Sequence, residues 1–277
     1  MGFFESLVLG IVQGLTEFLP ISSTAHLRII PSLFGWADPG TAFSAVIQLG
    51  TMLSVVIYFW RDLIQIYGSL LSDVFKYKTL ISKDAKLGFW ILVGTIPVCI
   101  VGILFKEPIE SGMVRDLNII SFYLIFFGIM LLFSEIISRQ NKAIEEINFW
   151  DVLLIGIAQS FALIPGVSRS AATIFAGLLL GFKRKDAARF SFLLSVPAVF
   201  LSGLLEIFTL FSTVKSGTEE VMIFKSLVGL IFACISGYLA IGFLLKYLQT
   251  HKTYVFVVYR IIIGILIIYL NFKGIIN

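Results

Sequence analysis

Two stretches of this chain interrupt an apolar sequence with a proline and then with a cluster of hydroxyl side chains. The first reads QGLTEFLPISSTAH from Gln13 to His26, and the second reads QSFALIPGVSRSAAT from Gln159 to Thr173. In each, a glutamine is followed by a proline and then by serines that open another apolar segment. Polar groups at membrane depth are costly and usually serve a function. We therefore expect the chemistry of this protein to reside in these two stretches.

The first stretch contains a candidate ligand set for a metal ion. Gln13 and Glu17 are four residues apart, so they share one face of a helix. Their hard oxygen atoms suit Mg²⁺ or Ca²⁺, and Mg²⁺ is typically held by one or two carboxylates together with substrate phosphates. The alternative is a protonated Glu17 that makes only a structural hydrogen bond.

The same stretch contains a candidate nucleophile and base. His26 follows Ser23 by three residues, and on a helix this spacing places both side chains on one face. An imidazole beside a hydroxyl is the arrangement that activates an oxygen nucleophile. A purely structural histidine is the competing interpretation.

Both stretches also predict an anion site. Their hydroxyl residues follow a proline and should cap the next helix, whose first N–H groups and positive dipole end then face the break. Arg169 adds a guanidinium that can bind a phosphate with two hydrogen bonds. Helix capping without a ligand is the alternative, although it leaves an arginine at membrane depth unexplained. The predicted capping and binding residues are Ser22, Ser23, Thr24, Ser168, Arg169 and Ser170.

Together these groups could bind and split a phosphate ester or anhydride, mainly by stabilising charge. A site within the membrane favours a lipid-linked phosphate, whose tail could reach the site from the side. Two other interpretations remain open. One is a transporter or flippase of a lipid-linked phosphate, and the other is a structural protein, which would leave Glu17, His26 and Arg169 without a role.

The composition indicates an all-α, polytopic integral membrane protein. Apolar residues make up 58% of the 277 residues, charged residues make up 14%, and the mean hydropathy is +0.99. Such values lie outside the range of soluble domains. The formal charge of +4 does not indicate a nucleic-acid partner, because basic residues in a membrane protein mostly report orientation.

Six apolar stretches are long enough to cross a bilayer, at about 20 residues each. The two regions around the motifs, near 2–36 and 149–181, instead have shorter apolar arms and predict re-entrant helical hairpins. The predicted spans are Gly40–Trp60, Leu87–Phe105, Asn118–Ser138, Phe190–Phe211, Met222–Leu245 and Tyr254–Phe272.

The distribution of lysine and arginine supports this topology. If both motif regions are hairpins, 13 basic residues fall on one side and 5 on the other, and the larger group should be cytoplasmic. Both termini should then lie on the outer face. The larger group occupies 61–86, 139–151, 182–189 and 246–252, and the smaller one occupies 106–116, 213–225 and Lys273.

An internal repeat relates the two halves of the chain. The segment Ala42-Phe43-Ser44 recurs as Arg189-Phe190-Ser191, with the same offset as the proline–serine breaks. This predicts one membrane domain, 1–277, made of two repeats at about 1–140 and 147–277. Each repeat has one hairpin and three spans, so the second must be inverted, and inverted repeats with broken helices place a site near the midplane.

The first motif resembles the (E/Q)xxxE region of the bacterial undecaprenyl-pyrophosphate phosphatases known as bacitracin-resistance proteins. The second, PGVSRSAAT, resembles the PGxSRSxxT motif of that family, and the two motifs occur in the family's order. The resemblance covers essentially the whole chain. It implies hydrolysis of undecaprenyl pyrophosphate to undecaprenyl phosphate and inorganic phosphate in the bacterial inner membrane, which recycles the carrier lipid for cell-wall synthesis and confers bacitracin resistance.

The resemblance also implies roles for individual residues. Ser23 matches the proposed nucleophile and His26 the acid/base, while the Gln13–Glu17 pair matches the motif placed at a divalent metal. Whether hydrolysis uses a phosphoserine or a metal-activated water stays open. Besides the polyprenyl pyrophosphate substrate, the expected partners are membrane lipids and a second copy of the chain in a homodimer. The residues that match pyrophosphate binding are Ser168, Arg169, Thr173 and Arg260.

Four positions need comment. Gln13 stands where many relatives have Glu, so one anionic metal ligand is lost. Ala25 and Ala171 stand at positions often held by glycine, which should alter packing more than chemistry. For Arg260, snorkelling of the side chain towards the membrane surface is the alternative to substrate binding.

Overall fold

The computed structural model describes residues 2–105, 116–213 and 219–276. Within these ranges the chain is helical and forms no β-strand beyond a single bridge between Lys142 and Phe182. The helices are α1 (Phe3–Phe18), α2 (Ser23–Phe34), α3 (Gly40–Tyr58), α4 (Trp60–Ser72), α5 (Lys83–Leu104), α6 (Leu117–Ile137), α7 (Phe149–Ser160), α8 (Arg169–Leu179), α9 (Arg184–Thr213), α10 (Glu219–Tyr247) and α11 (Tyr254–Phe272).

Several of these helices are long and apolar enough to cross a membrane, which makes the chain a multi-pass membrane protein. Four qualify individually, and a fifth candidate is the pair Phe43–Tyr58 and Trp60–Tyr77, which is bent by 75°. The predicted outer connection 106–116 lies almost entirely outside the described residues, and 213–225 lies outside them only at 214–218. The four individual helices are Lys83–Leu104, Leu117–Ile137, Phe224–Tyr247 and Tyr254–Phe272.

All six stretches predicted as spans lie on helices, and Tyr254–Phe272 is reproduced residue for residue as α11. The structure differs at the first of them, Gly40–Trp60. Helix α3 ends before Trp60, which instead begins α4, so the region 61–86 contains a helix where the sequence analysis assumed only a connection. Helix α4 buries Leu63, Ile66 and Leu70 on one face, and this short amphipathic repeat explains why it forms.

Both motif regions consist of two short helices on either side of a break, as the apolar arms predict. In the first region, residues 19–22 separate α1 from α2. In the second, α7 continues into a 3₁₀ turn, Phe161–Leu163, and residues 164–168 precede α8. Pro20 and Pro165 stand in these breaks, where a residue without an N–H interrupts no helical hydrogen bond.

The first arm of each motif region packs closely against a helix from the other half of the chain. Helix α1 packs along α10, and α7 packs along α5. A Cβ atom at Gly14 of α1 would lie 2.4 Å from the Ala233 carbonyl oxygen, and one at Gly156 of α7 would lie 2.5 Å from the Gly94 carbonyl oxygen. Small residues permit this approach, which is the usual means of helix association in membranes.

A buried ion pair fixes the ends of three helices. The carboxylate of Glu135, in the last turn of α6, accepts hydrogen bonds from the Arg184 guanidinium at the start of α9. It also accepts from the Thr253 hydroxyl at 2.9 Å and from the Thr253 N–H at 3.2 Å, just before α11. Because α6 and α11 also pack along each other, this cluster sets the position of the helix that carries Arg260.

We expect Gly156→Ala to lower the apparent melting temperature of the purified protein. The added methyl group meets the Gly94 backbone, which no side-chain rotation can relieve, so α5 and α7 must separate at a cost of about 1–3 kcal/mol. Gly68→Ala in α4 is the matched control, because nothing lies within 4 Å of its Cβ. Equal melting temperatures for the two variants would show that the close approach of α5 and α7 does not stabilise the fold.

Candidate active site

The helix that follows each break begins after a serine with an unusual backbone conformation. Ser22 has φ 75° and precedes α2, and Ser168 has φ 68° and precedes α8. This left-handed region is costly for residues other than glycine, and such strain persists only where the surroundings enforce it. The same strained turn at the same place in both motif regions directs the first turns of α2 and α8 towards the breaks.

Glu17 is the centre of the polar contacts between the two regions. Its Oε1 accepts a hydrogen bond from Arg169 Nη2 at 2.9 Å, which joins the end of α1 to the start of α8. Its Oε2 accepts from Ser23 Oγ at 2.8 Å and from Gln13 Nε2 at 3.3 Å. The structure therefore brings together four of the predicted site residues around one carboxylate.

The Glu17–Arg169 pair is shielded from solvent, with side-chain exposures of 11% and 13%. Removing two charges from water costs about as much free energy as their attraction returns, so a buried ion pair is weak support for stability. Arg169 also keeps one nitrogen, Nη1, buried without a hydrogen-bond partner. A buried guanidinium with an unused donor suits recognition of an additional anion.

His26 does not contact Ser23 in the way that the sequence spacing predicts. Its Nδ1 lies 2.7 Å from the Ser22 carbonyl oxygen, so this nitrogen carries the proton. Its Nε2 then accepts a hydrogen bond from the Tyr259 hydroxyl at 2.6 Å, and the two rings stack. Both ring nitrogens are therefore engaged, and the carboxylate of Glu17 is the group that contacts the Ser23 hydroxyl.

Arg260 is fully buried and does not reach the membrane surface, which excludes the snorkelling alternative. Its Nε and Nη1 donate to the Leu124 and Pro20 carbonyl oxygens at 3.0 and 3.2 Å. Its Nη2 donates to the carbonyl oxygens of Gly166 and Val167, both at 3.0 Å. The oxygens of Pro20, Gly166 and Val167 belong to the two breaks, so Arg260 holds the breaks together in a positioning role.

The hydroxyl groups of the second motif mainly shape the turn. Ser168 Oγ accepts from the Ala171 N–H at 3.3 Å, which confirms the predicted helix cap. Ser170 Oγ donates to the Leu19 carbonyl oxygen at 3.2 Å and so links the two breaks directly. Thr173 is buried, and its Oγ1 lies 2.8 Å from the Arg169 carbonyl oxygen and 2.5 Å from Ser191 Oγ.

The first motif leaves other polar groups ready for a ligand. Thr24 is exposed at the start of α2. Ser22 Oγ and Gln13 Oε1 are buried without a hydrogen-bond partner. A buried oxygen without a hydrogen-bond partner costs free energy. The nitrogen of the same Gln13 amide contacts Glu17, so a hard cation bound by both side chains would give Gln13 Oε1 a partner.

These oxygen donors fit a hard divalent cation that also binds substrate. The described residues contain no group of three or more His, Cys, Asp or Glu side chains that could hold a metal ion. Glu17 is the one carboxylate among the site residues described above. One carboxylate with an amide oxygen is too few ligands for a closed protein site. It matches the pattern in which Mg²⁺ completes its coordination with water and substrate phosphates.

Sequence reasoning missed Tyr259 and the fully buried Gln159. Tyr259 directly precedes Arg260, and the signal that could have found it is a hydroxyl-bearing aromatic residue within a predicted span. Gln159 opens the second motif, and both polar atoms of its amide are buried without a partner. The main-chain oxygens that bind Arg260 have no signature in the sequence, because every residue carries a carbonyl group.

Comparisons with known proteins place these motifs in a family. The family model described as bacitracin resistance protein BacA matches residues 6–266. A protein named undecaprenyl-diphosphatase from Chlorobium chlorochromatii is 49% identical, with 99% of each chain covered. Proteins of the same name from Pelodictyon phaeoclathratiforme and Chlorobium phaeovibrioides are 48% and 46% identical, covering 100% and 99% of each chain. This chain belongs to the BacA family of bacitracin resistance proteins.

Proposed function

We propose that this chain hydrolyses undecaprenyl diphosphate to undecaprenyl phosphate and inorganic phosphate at the place where the two breaks meet. The observation that carries the proposal is the buried contact of Glu17 with both Arg169 and Ser23. It combines an anion-binding guanidinium, a metal-binding carboxylate and a hydroxyl nucleophile at membrane depth. The relatives' shared name supplies the substrate. Recycling of the lipid carrier and bacitracin resistance follow from this activity and from membership of the BacA family.

In this proposal the diphosphate binds between the N-termini of α2 and α8. The first N–H groups of a helix have no intrahelical partner, and the dipole favours an anion there. Arg169 supplies the unused donors of Nη1, and the exposed Thr24 hydroxyl lies on the first turn of α2. Phosphate oxygens then replace part of the contact that Arg169 makes with Glu17.

Glu17 and Gln13 would hold a divalent metal, Mg²⁺ or Ca²⁺. Their side chains already contact each other, and Gln13 keeps one oxygen without a hydrogen-bond partner. When bound, the metal would neutralise charge on the phosphate oxygens and on the leaving group. Substitution of glutamine for the more common glutamate leaves fewer negative charges, so we expect metal affinity to depend strongly on the bound substrate.

Ser23 is the proposed nucleophile. Its Oγ donates to Glu17 Oε2, so this carboxylate is placed to take the proton as the oxygen attacks the terminal phosphorus. The bond from this phosphorus to the bridging oxygen breaks, and undecaprenyl phosphate leaves. Water then hydrolyses the phosphoserine and releases inorganic phosphate. His26 is the proposed acid/base of the later proton transfers, with its ring oriented by Tyr259 and by the Ser22 carbonyl.

The fold around this site is proposed to be an inverted repeat of six spans and two re-entrant hairpins. In support, the arms α1 and α7 pack on α10 and α5 of the opposite halves, and α6 packs on its counterpart α11. The strained serines Ser22 and Ser168 also occupy matching positions. We propose the bacterial plasma membrane as the location, and the distribution of basic residues favours an orientation with both termini on the outer face. Homodimerisation stays a prediction.

We expect Ser23→Ala and Glu17→Gln each to reduce kcat/KM for undecaprenyl diphosphate by about 10³-fold or more, because they remove the nucleophile and the group that accepts its proton. Since both residues act in one step, the double variant should be little worse than either single variant. Phosphate release by the purified protein with Mg²⁺ is the measurement. Ser32→Ala is the matched control, because that hydroxyl lies on the same helix and donates only to the Arg28 carbonyl oxygen. Retention of a tenth of the activity by Ser23→Ala would exclude this nucleophile and favour attack by water.

We expect Arg260→Lys to lower both the apparent melting temperature and the activity. A single ammonium group cannot satisfy the carbonyl oxygens of both breaks that Arg260 now binds. Arg169→Lys keeps a charge at the anion site, so it should raise KM while leaving the melting temperature close to that of the wild type. If Arg260→Lys raised KM alone and melted normally, Arg260 would bind substrate directly and the positioning role would be wrong.

We expect a cysteine at position 273 to react with a membrane-impermeant maleimide in intact cells. In a Cys99→Ala, Cys234→Ala background, Lys273→Cys should be labelled from outside, whereas Arg139→Cys should be labelled only after permeabilisation. Both positions are exposed, so the difference reports the side of the membrane. The reverse pattern would invert the proposed topology. Equal labelling of the two positions would contradict the odd number of spans that the topology places between them.

A further inference from the structure

An apolar groove of about 870 Å³ lies on the side of the protein between α5, α6 and α7. Its volume is in the range of small-molecule sites, and its walls are almost entirely aliphatic and aromatic. The one serine in its wall, Ser160, donates to the Gly156 carbonyl oxygen and offers no free donor. The groove therefore suits a hydrocarbon. The residues that define it here are Ile96, Ile100, Ile119, Tyr123, Ile157 and Leu163.

The groove is continuous with the break of the second motif. Ile164 and Pro165, which line one end, are followed by the two carbonyl groups that Arg260 holds, and Arg169 begins α8 four residues after Pro165. Tyr123 lines the wall, and its carbonyl oxygen also accepts from Arg260, at 3.4 Å. A hydrocarbon in the groove would thus end beside the proposed diphosphate site.

In the opposite half, the corresponding helix pair approaches closely at two glycines. There α1 lies against α10, and a Cβ at Gly10 would meet the Gly229 carbonyl oxygen at 2.4 Å, as Gly14 meets that of Ala233. Helix α7 approaches α5 closely at Gly156, but beyond that point the walls formed by Ile100 and Ile157 are partly exposed. The groove lies beside the motif that supplies Arg169.

We infer that this groove binds the first part of the polyprenyl tail of the substrate, next to the diphosphate. The inference rests on the proposed function. It assigns recognition of the tail to α5, α6 and α7, while the rest of the long chain extends into the bilayer. A tail held there contributes binding energy far from the reacting phosphorus, so it should lower KM without changing kcat.

The test compares a short and a long substrate in variants that fill the groove. Ile100→Trp and Ile157→Trp place a large ring on opposite walls, at positions that are partly exposed and should tolerate it. We expect each to raise KM for undecaprenyl diphosphate about tenfold and to change KM for isopentenyl diphosphate, whose single five-carbon unit is too short to fill the groove, less than about twofold. Ile231→Trp on α10 is the matched control, with 51% exposure against 52% for Ile100, and should affect neither substrate.

The outcomes separate the groove from the active site. An unchanged KM for the long substrate in both groove variants would overturn the assignment, since the tail would then lie elsewhere. Equal losses with both substrates would also overturn it, because the effect would not depend on the tail. Failure of the proposed function is a different result, in which Ser23→Ala and Glu17→Gln retain hydrolysis of undecaprenyl diphosphate while the groove variants behave as expected.

Discussion

The structure depends on how one guanidinium satisfies main-chain oxygens inside the membrane. A helix that breaks in hydrocarbon leaves carbonyl groups without partners, and each costs several kcal/mol unless another group donates to it. Arg260 donates to carbonyl oxygens of Pro20, Gly166 and Val167, and so it satisfies main-chain acceptors in both breaks. Because one rigid, planar group binds the two breaks, it also fixes the distance between them.

The fixed distance has a direct chemical consequence. It brings Glu17 at the end of α1 within 2.9 Å of Arg169 at the start of α8, although the two are far apart in sequence. The pair keeps both charges compensated at membrane depth while no anion is bound. In the proposed function, a diphosphate carries more charge than a carboxylate and so competes for Arg169, which would release Glu17 to bind a metal ion or a proton.

Much of this arrangement could be predicted from the sequence, for reasons that differ between residues. Hydropathy was enough to predict the long apolar helices. Tyr254–Phe272, for example, can be recognised as a helix long enough to span a membrane from its length and composition alone. Residue types located the site, because Glu17 and Arg169 are expensive at this depth without a function. The contacts of His26 could not be predicted, because helical spacing brings two side chains to one face but does not orient them. Here the Ser22 carbonyl and Tyr259 orient the imidazole away from that hydroxyl.

The two halves of the chain share a backbone conformation at their breaks but carry different side chains there. Ser22 and Ser168 adopt nearly the same strained conformation, and each directs the N-terminus of a helix to a break. The residue after the strained serine is Ser23 in the first half and Arg169 in the second, so in the proposed mechanism one position supplies the nucleophile and its counterpart the anion receptor. Identical residues at both positions could not do this, since two arginines would repel each other and two serines would leave Glu17 uncompensated. Because the proposed site needs a nucleophile from one half and a positive charge from the other, the two halves differ at this position although they keep the same turn.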